Sequence, residues 1–464
     1  MVNKRDSKFK WLHDLTNGAD NLESQPISQR LRTVSKNFFL HIHAPKIHLY
    51  SIKPTFTLGL GLAACFTFCI LLFTGLFLMV HYTPSIERAY TSIQDIIYIV
   101  PGGKLIRNMH RWAGHTMIVI VFLHMARVFY TAAYSKRRKS NWLAGLCLFI
   151  LIILAGFSGY LLPWDQLAYW AVTIGSNIAA STRELTDVLG VTPVFDIGYW
   201  IKLILFGDDT IGQAALTRFF LLHVVVIPIT VIILMGYHFW CIRKSDGLAR
   251  PPHADKWVQQ RSPDTITIPT WPVVMWIELA IFISLFTAFL LFSCFVDAPL
   301  RDMANPDFPE NPAKSPWYFL GIQELVSYSA FSGGIVLPLL ALLFLFLIPF
   351  YDRESHYQGI WFSGREGLKI TVQSVFFTLC STLLILGISL SSEWYLYLPQ
   401  FIAMIVNPGT ITALIYLLWR KYIYIKTNSK RMASIALFTS ITIGYILFMT
   451  IGIWFRGANW KLFG

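Results

Sequence analysis

Apolar runs about twenty residues long alternate with shorter polar connections along most of this chain. Runs long enough to cross a bilayer lie near 55–80, 111–133, 142–162, 217–241, 273–296, 334–350, 369–391, 398–419 and 433–455. The sixth is short and the eighth contains Asn407-Pro408-Gly409, so the pattern predicts about nine spans. The first 50 residues are basic and polar, without the features of a cleavable signal peptide, and 28–50 is expected to form a surface helix. The fold class expected is all-α, a polytopic helical membrane protein.

Composition agrees. With 55% hydrophobic residues, 14% charged and a mean hydropathy of +0.54, the chain is too apolar for a soluble globule. A net charge of +13 invites a nucleic-acid reading, but the distribution of charge opposes it. Most of the Lys and Arg fall in residues 1–50, 136–139, 243–261, 353–369 and 420–431, which share one side of the membrane if the termini alternate as the spans require. By the positive-inside rule that side is cytoplasmic, the N-terminus lies there, and the basicity reports topology.

Four histidines carry the chemistry. His110 and His124 are 14 residues apart in the second apolar run, and His223 and His238 are 15 apart in the fourth. Either spacing returns a side chain to nearly the same helix face about 21 Å further along. Two such helices packed face to face offer two His–His clamps stacked across the bilayer. Each suits one haem iron, and two axial imidazoles leave no open position, which favours electron transfer over oxygen binding. His115 is rotated roughly 140° from the ligand face and is read as structural. His13, His41, His43, His48, His81, His253 and His356 fall outside the spacing.

Glycines repeat the same period. Gly61 and Gly75 in the first run, and Gly145 and Gly159 in the third, are also 14 apart. Glycine inside a helix costs about 0.5–1 kcal/mol relative to alanine, so it needs a packing reason, and a flat macrocycle against each helix at two heights supplies one. The six cysteines form no C-x-x-C, no C-x-x-C-H and no disulfide-like framework. No covalent c-type haem and no iron–sulfur cluster is therefore expected on this chain.

These residues resemble a family, the cytochrome b subunit of Rieske/cytochrome b complexes. The 15-residue spacing of His223 and His238 is similar to the b-f-type and related bacterial branch. Gly159–Ala171, GYLLPWDQLAYWA, resembles the family's quinol-site helix, and LTRFFLLH at 216–223 resembles its approach to the fourth span. The resemblance covers about residues 28–350 and implies that the haem-bearing and quinol-site halves are fused here.

The resemblance also implies a division of the chain. Residues 1–50 form a cytoplasmic segment, 51–245 a dihaem four-helix bundle built from the first four spans, 246–272 a cytoplasmic linker, 273–392 a C-terminal domain with an outer quinol-site loop, and 393–464 additional membrane helices. His110 and His223 would ligate an outer non-covalent haem b, His124 and His238 an inner one. Arg111, Arg127 and Arg218 would meet haem propionates, and Arg243 would help anchor an inner quinone. Tyr160, Trp317 and Tyr318 would border the outer quinol site. Partners implied are a Rieske iron–sulfur protein, a c-type cytochrome, the membrane quinone pool and a second copy in a homodimer within the bacterial cytoplasmic membrane.

Two departures stand out. The family's outer site carries Pro-Glu-Trp-Tyr, whose carboxylate is thought to take a quinol proton, and here the run is Ser315-Pro316-Trp317-Tyr318. Glu324, seven residues past Trp317, would share its face on a helix and is the expected substitute. The second departure is Gly59, which stands where some relatives carry a Cys for a third haem. The function expected is quinol oxidation at an outer site, electron transfer through two haems to an inner quinone site, and coupled proton translocation. Two other readings are a dihaem membrane anchor for a peripheral dehydrogenase and a membrane transporter using intramembrane histidines.

Overall fold

The computed structural model describes residues 44, 46–208, 210–262 and 266–462. Among these, eight helices are long and apolar enough to cross a membrane. In such a run the helix satisfies every backbone polar group internally, which is what a hydrocarbon environment requires. They are α1 (Leu60–His81), α2 (Gly103–Tyr130), α3 (Lys139–Leu161), α4 (Gln213–Lys244), α5 (Met275–Phe295), α6 (Ser332–Tyr351), α7 (Arg365–Ser392) and, last in the chain, α9 (Lys430–Trp454).

The expected span at 398–419 is divided. Gln400–Ile405 is a short helix, and α8 starts afresh at Pro408–Thr427. The reason is local: Asn407 caps the new helix, its side chain accepting from Gly409 and Thr410 N–H while Thr410 returns the bond, and Pro408 occupies the first turn, where no N–H is needed. Arg420, Lys421 and Lys426 make α8 more polar than its neighbours, yet it runs the same depth. Its start is tied to the start of α6 by Asn407 Nδ2 donating to Ser332 Oγ at 2.9 Å. Its end leads into Ser429, which donates to Glu354 beyond the end of α6 at 2.7 Å. Counting α8, nine helices traverse the described structure.

The connections 131–138, 245–274, 352–364 and 428–429 lie at one end, the basic end, and the others at the far end. At the basic end Lys46–His48 (β1) pairs antiparallel with Thr267–Pro269 (β2), Ile47 opposite Ile268. This corrects the last part of the expected surface helix; residues 1–43 lie outside the described set. The β-branched residues suit a pleated pair, and Pro269 sits at its end.

In the first half, α1 packs on α2 and α3 on α4, with Phe68, Met117, Ile152, Ile227 and Val231 at the centre. α5 closes on α1 and α2 through Ile70, Met109, Ala113 and Phe289. The second half is organised round α9, which is held at both ends. At the basic end the fully buried Arg431 donates to Tyr134 Oη at 2.7 Å, to Phe129 O at 2.7 Å and to Ser363 Oγ at 2.8 Å. Just beyond its far end, Arg456 pairs with Glu324. The helices after residue 393 are thus packed into the rest of the molecule.

Candidate haem and quinol site

The different spacings on α2 and α4 have a structural reason. Leu222–Val226, which contains His223, is a π turn, ending two residues before Pro228. A π turn inserts one extra residue without changing the phase of the helix beyond it, so 15 residues on α4 match 14 on the regular α2. His110 and His223 then face each other with ring centroids 6.2 Å apart and planes 79° apart. That gap is too wide for direct hydrogen bonding through the ring nitrogens and admits one metal ion at about 2 Å from each.

Hydrogen bonds on the opposite nitrogens fix the rings. Thr74 Oγ1 donates to Ile70 O at 2.7 Å and therefore accepts from His110 Nδ1–H at 2.9 Å. His223 Nδ1 donates to Ala155 O at 3.0 Å, and His238 Nδ1 to Asn141 O at 3.1 Å. In each case the Nε2 lone pair is left for a ligand bond, the arrangement typical of metal-binding histidines. Among the described residues no group of three or more His, Cys, Asp or Glu could hold a metal ion.

Each of the four glycines faces one of the four histidines. A Cβ on Gly159 would lie 2.5 Å from His223 Cε1, one on Gly75 3.2 Å from His110 Cε1, one on Gly61 3.2 Å from His124 Cε1, and one on Gly145 3.3 Å from His238 Cε1. The expected packing reason is therefore refined: the missing side chains leave room first for the imidazole edges. Arg127 adds a further fit to haem. Its Nε donates to Phe56 O at 3.3 Å and its guanidinium lies over the Phe56 ring, while its buried Nη2 has no partner. A propionate carboxylate is the group such a donor lacks.

Near the far end a cavity of about 520 Å³ opens between α2, the end of α3, the connection after α5 and the chain beyond α9. Tyr160, Trp317, Arg111, His115, Glu310 and Arg456 all contribute to its wall. The segment 163–166 positions this wall. Trp164 takes a left-handed φ of 52°, and Asp165 caps the helix Gln166–Ala180 through Ala168 N–H at 2.8 Å. The other Asp165 oxygen accepts from Arg301 N–H at 3.0 Å, stitching the 301–305 strip to that helix.

A model of the cytochrome b/b6/petB family matches residues 48–246. A cytochrome b6 of Heliomicrobium gestii is 40% identical over 202 residues, 43% of this chain and 89% of that protein. The menaquinol:cytochrome c reductase cytochrome b subunit of Bacillus subtilis is 37% identical over 210 residues, 45% of this chain and 87% of that one. The chain belongs to the cytochrome b family. Its likeness extends beyond the bundle to a cytochrome b of Oryza sativa, 29% identical over 351 residues, 71% of this chain and 77% of that protein. A hyperthermophilic respiratory Complex III structure shares the fold at a TM-score of 0.61 and 24% identity, covering 96% of this chain and 97% of that one.

Membership makes this an integral membrane cytochrome b, and the family carries b-type haem. Not every expected site residue of this cytochrome b falls where the sequence placed it. Arg111 turns toward the cavity, with Nε donating to His115 Nε2 at 3.1 Å and Cζ 5.0 Å from the Tyr160 ring centre. Arg218 is exposed and spends Nη1 on Leu203 O and Ile204 O, closing the helix Ile197–Phe206. Arg243 stands in the last turn of α4 at the basic end. Tyr318 is buried behind the cavity, its ring against Gly156 and its carbonyl accepting from Tyr445.

Glu324 departs furthest from expectation. It is fully buried, is not in the cavity wall, and accepts from Arg456 Nε at 2.9 Å, Arg456 Nη2, Tyr328 Oη at 2.6 Å and Trp460 Nε1 at 3.0 Å. With four donors on two oxygens it has no position left for a quinol, and its expected proton-acceptor role is corrected to a structural one. Burial works to lower the Arg456 pKa, but the Glu324 carboxylate outweighs it and holds the guanidinium above its ordinary value. The sequence reading missed Arg456, whose partner is 132 residues away, and the cavity position of His115.

Proposed function

We propose that this cytochrome b oxidises quinol in the far-end cavity, on the outer side of a bacterial cytoplasmic membrane, and reduces quinone at the inner, basic end near Arg243. Two non-covalent b-haems, each held by His110 with His223 or His124 with His238, supply one-electron transfer across the membrane when bound. The carrying observation is the pairing of four imidazoles, each with its second nitrogen or its ring edge seated by the bundle, beside a cavity large enough for a quinol head. Tyr160 and Trp317 shape that cavity, and Tyr318 backs its wall. Arg111, Arg301, Lys314 and Arg456 outnumber Glu310 there, an electrostatic setting that favours a hydroxyl losing its proton.

The positive-inside rule applied to the basic connections supports a cytoplasmic N-terminus, and on that reading protons would leave at the far end and enter at the basic end. The chain contains no C-x-x-C framework for a cluster, so the first electron of each quinol would go to a partner. A Rieske iron–sulfur protein and a c-type cytochrome fit that need, as the name of the Bacillus subtilis relative suggests for the second. A homodimer within a larger complex is the assembly the family implies. The domain division proposed is 51–245 for the dihaem bundle, 246–272 for the linker, 273–392 for the quinol-site domain and 393–464 for the additional helices.

Oxidant-induced reduction tests this reading. In membranes containing the complex, a pulse of high-potential oxidant in the presence of quinol and an inner-site blocker should transiently reduce b-haem. Haem that is only oxidised under those conditions would support a membrane anchor without bifurcation.

A further inference from the structure

His115 stands between two groups that can only donate. Arg111 Nε lies 3.1 Å from its Nε2 and Trp317 Nε1 2.9 Å from its Nδ1. Neither guanidinium nor indole nitrogen has a lone pair to offer, and a neutral imidazole has one lone pair and one N–H of its own. Three N–H groups therefore compete for a single acceptor. Protonating the ring would not relieve them, because it removes that one lone pair and adds a fourth N–H beside a guanidinium. Relief needs an oxygen that accepts, and Arg111, His115 and Trp317 all border the far-end cavity.

We propose that His115 and Arg111 form a two-donor clamp for one oxygen of the quinone headgroup, a role that rests on the quinol-oxidation reading of the site. Trp317 sets the tautomer. Its single indole N–H is bonded to Nδ1, so with a ligand in place Nδ1 stays the acceptor and the ring proton sits on Nε2. Arg111 carries further N–H groups on a flexible stem and can turn off Nε2. An oxygen entering between the two accepts Nε2–H from one side and a guanidinium N–H from the other. The three N–H groups then have acceptors, and His115 neither gains nor loses a proton.

Such a clamp discriminates between the forms of that oxygen. A carbonyl oxygen has two lone pairs and can accept from both donors, whereas a phenolic hydroxyl keeps an O–H that needs an acceptor of its own. The clamp therefore holds the quinone form more tightly than the quinol form, and its bonds strengthen as negative charge builds on the oxygen, the sense that catalysis requires. Arg301, Lys314 and Arg456 in the same wall act in the same direction. Only one of the two headgroup oxygens can occupy the clamp, so the two carbonyls of a bound quinone should differ.

The test is infrared difference spectroscopy of the complete complex with its inner site blocked, using a short-chain benzoquinone labelled with carbon-13 at one carbonyl or the other. In the parent, one carbonyl stretch should lie well below that of the quinone free in detergent. His115→Met has no donor, so that band should move back toward the free position and quinone affinity should fall about fivefold, the worth of one net hydrogen bond. His115→Gln should keep both, because its amide offers an oxygen to Trp317 and an N–H to the ligand. Should His115→Met lose haem, Arg111→Met carries the same test from the other side of the clamp. Parent-like bands and affinity in a haem-replete His115→Met would overturn the proposal, as would a His115→Gln variant as impaired as His115→Met. A parent complex that shows no bound quinone once the inner site is blocked would instead overturn the underlying reading, so the two failures are distinguishable.

Discussion

Arg456 and Glu324 form a buried ion pair across 132 residues, with Nε 2.9 Å from Oε2. The pair joins the chain beyond α9 to the short helix Leu320–Val326 just after Trp317 and Tyr318. Lys314 Nζ donating to Ile453 O at 2.8 Å and Asn311 Nδ2 to Asn459 Oδ1 at 2.8 Å reinforce the same junction. The C-terminal residues therefore help hold the cavity wall.

Removing one partner should be costly. Arg456→Met leaves a carboxylate buried without its counter-charge, a loss of about 3–5 kcal/mol. Limited proteolysis of the 297–331 connection and thermal inactivation of quinol oxidation should both show it, while haem content stays at the parent value. The double variant Arg456→Met, Glu324→Leu should recover most of the stability, because no lone charge remains. A double variant as unstable as the single one would mean that the guanidinium matters through the bond from Arg456 Nη1 to Trp460 O, 2.7 Å, and not through Glu324.

The bundle of α1 to α4 was legible because its signal is local and periodic. Apolar runs name the helices, and histidine spacing names the shared face. Even the odd spacing on α4 was readable as a number, although its cause, the π turn at Leu222–Val226, was not. Asn407-Pro408 marked trouble in the eighth span, and the capping residues Asn407 and Thr410 were the available sign that a helix begins there. The outer cavity was less legible because it is assembled from distant segments. Glu324 lies on the helical turn after Trp317, but what decides its role is Arg456, and no periodicity connects them. The spacing puts His115 on a different face of α2 from His110, and that same rotation is what carries it to Trp317.

The two clamps should be separable. The ligands on α2 are about 21 Å apart along the axis, with separate hydrogen-bond partners at each level. His124→Leu or His238→Leu should lower the pyridine haemochrome ratio from two haems to one, and redox titration should show a single remaining transition. Loss of both haems from correctly inserted protein would contradict independent sites.

Arg127 should contribute to the inner haem through its unpaired Nη2. Replacing it by leucine removes a charge-assisted hydrogen bond worth about 1.5–3 kcal/mol, so haem affinity at that level should fall on the order of 10-fold or more. The remaining inner haem should titrate at a lower potential, since a nearby cation favours the reduced state. Haem release from detergent-solubilised protein to an apo-globin acceptor measures the first effect and potentiometry the second. Unchanged release would assign Arg127 to its Phe56 contacts alone.

The four glycines predict a graded series. Gly159→Ala would place a methyl 2.5 Å from His223 Cε1, inside any tolerable contact, whereas Gly145→Ala would place one 3.3 Å from His238 Cε1. His223 is held by Ala155 O and Ser158 Oγ on the same helix as Gly159, so its ring can retreat only by giving up those bonds, each worth about 1 kcal/mol net. Gly159→Ala should therefore lose or weaken the outer haem, and Gly145→Ala should keep the inner one with a modest shift in potential. Gly75→Ala and Gly61→Ala, both at 3.2 Å, should fall between. Haem occupancy resolved by redox titration ranks the series. Equal loss at all four positions would show that the methyls act on the macrocycle plane rather than on the imidazole edges.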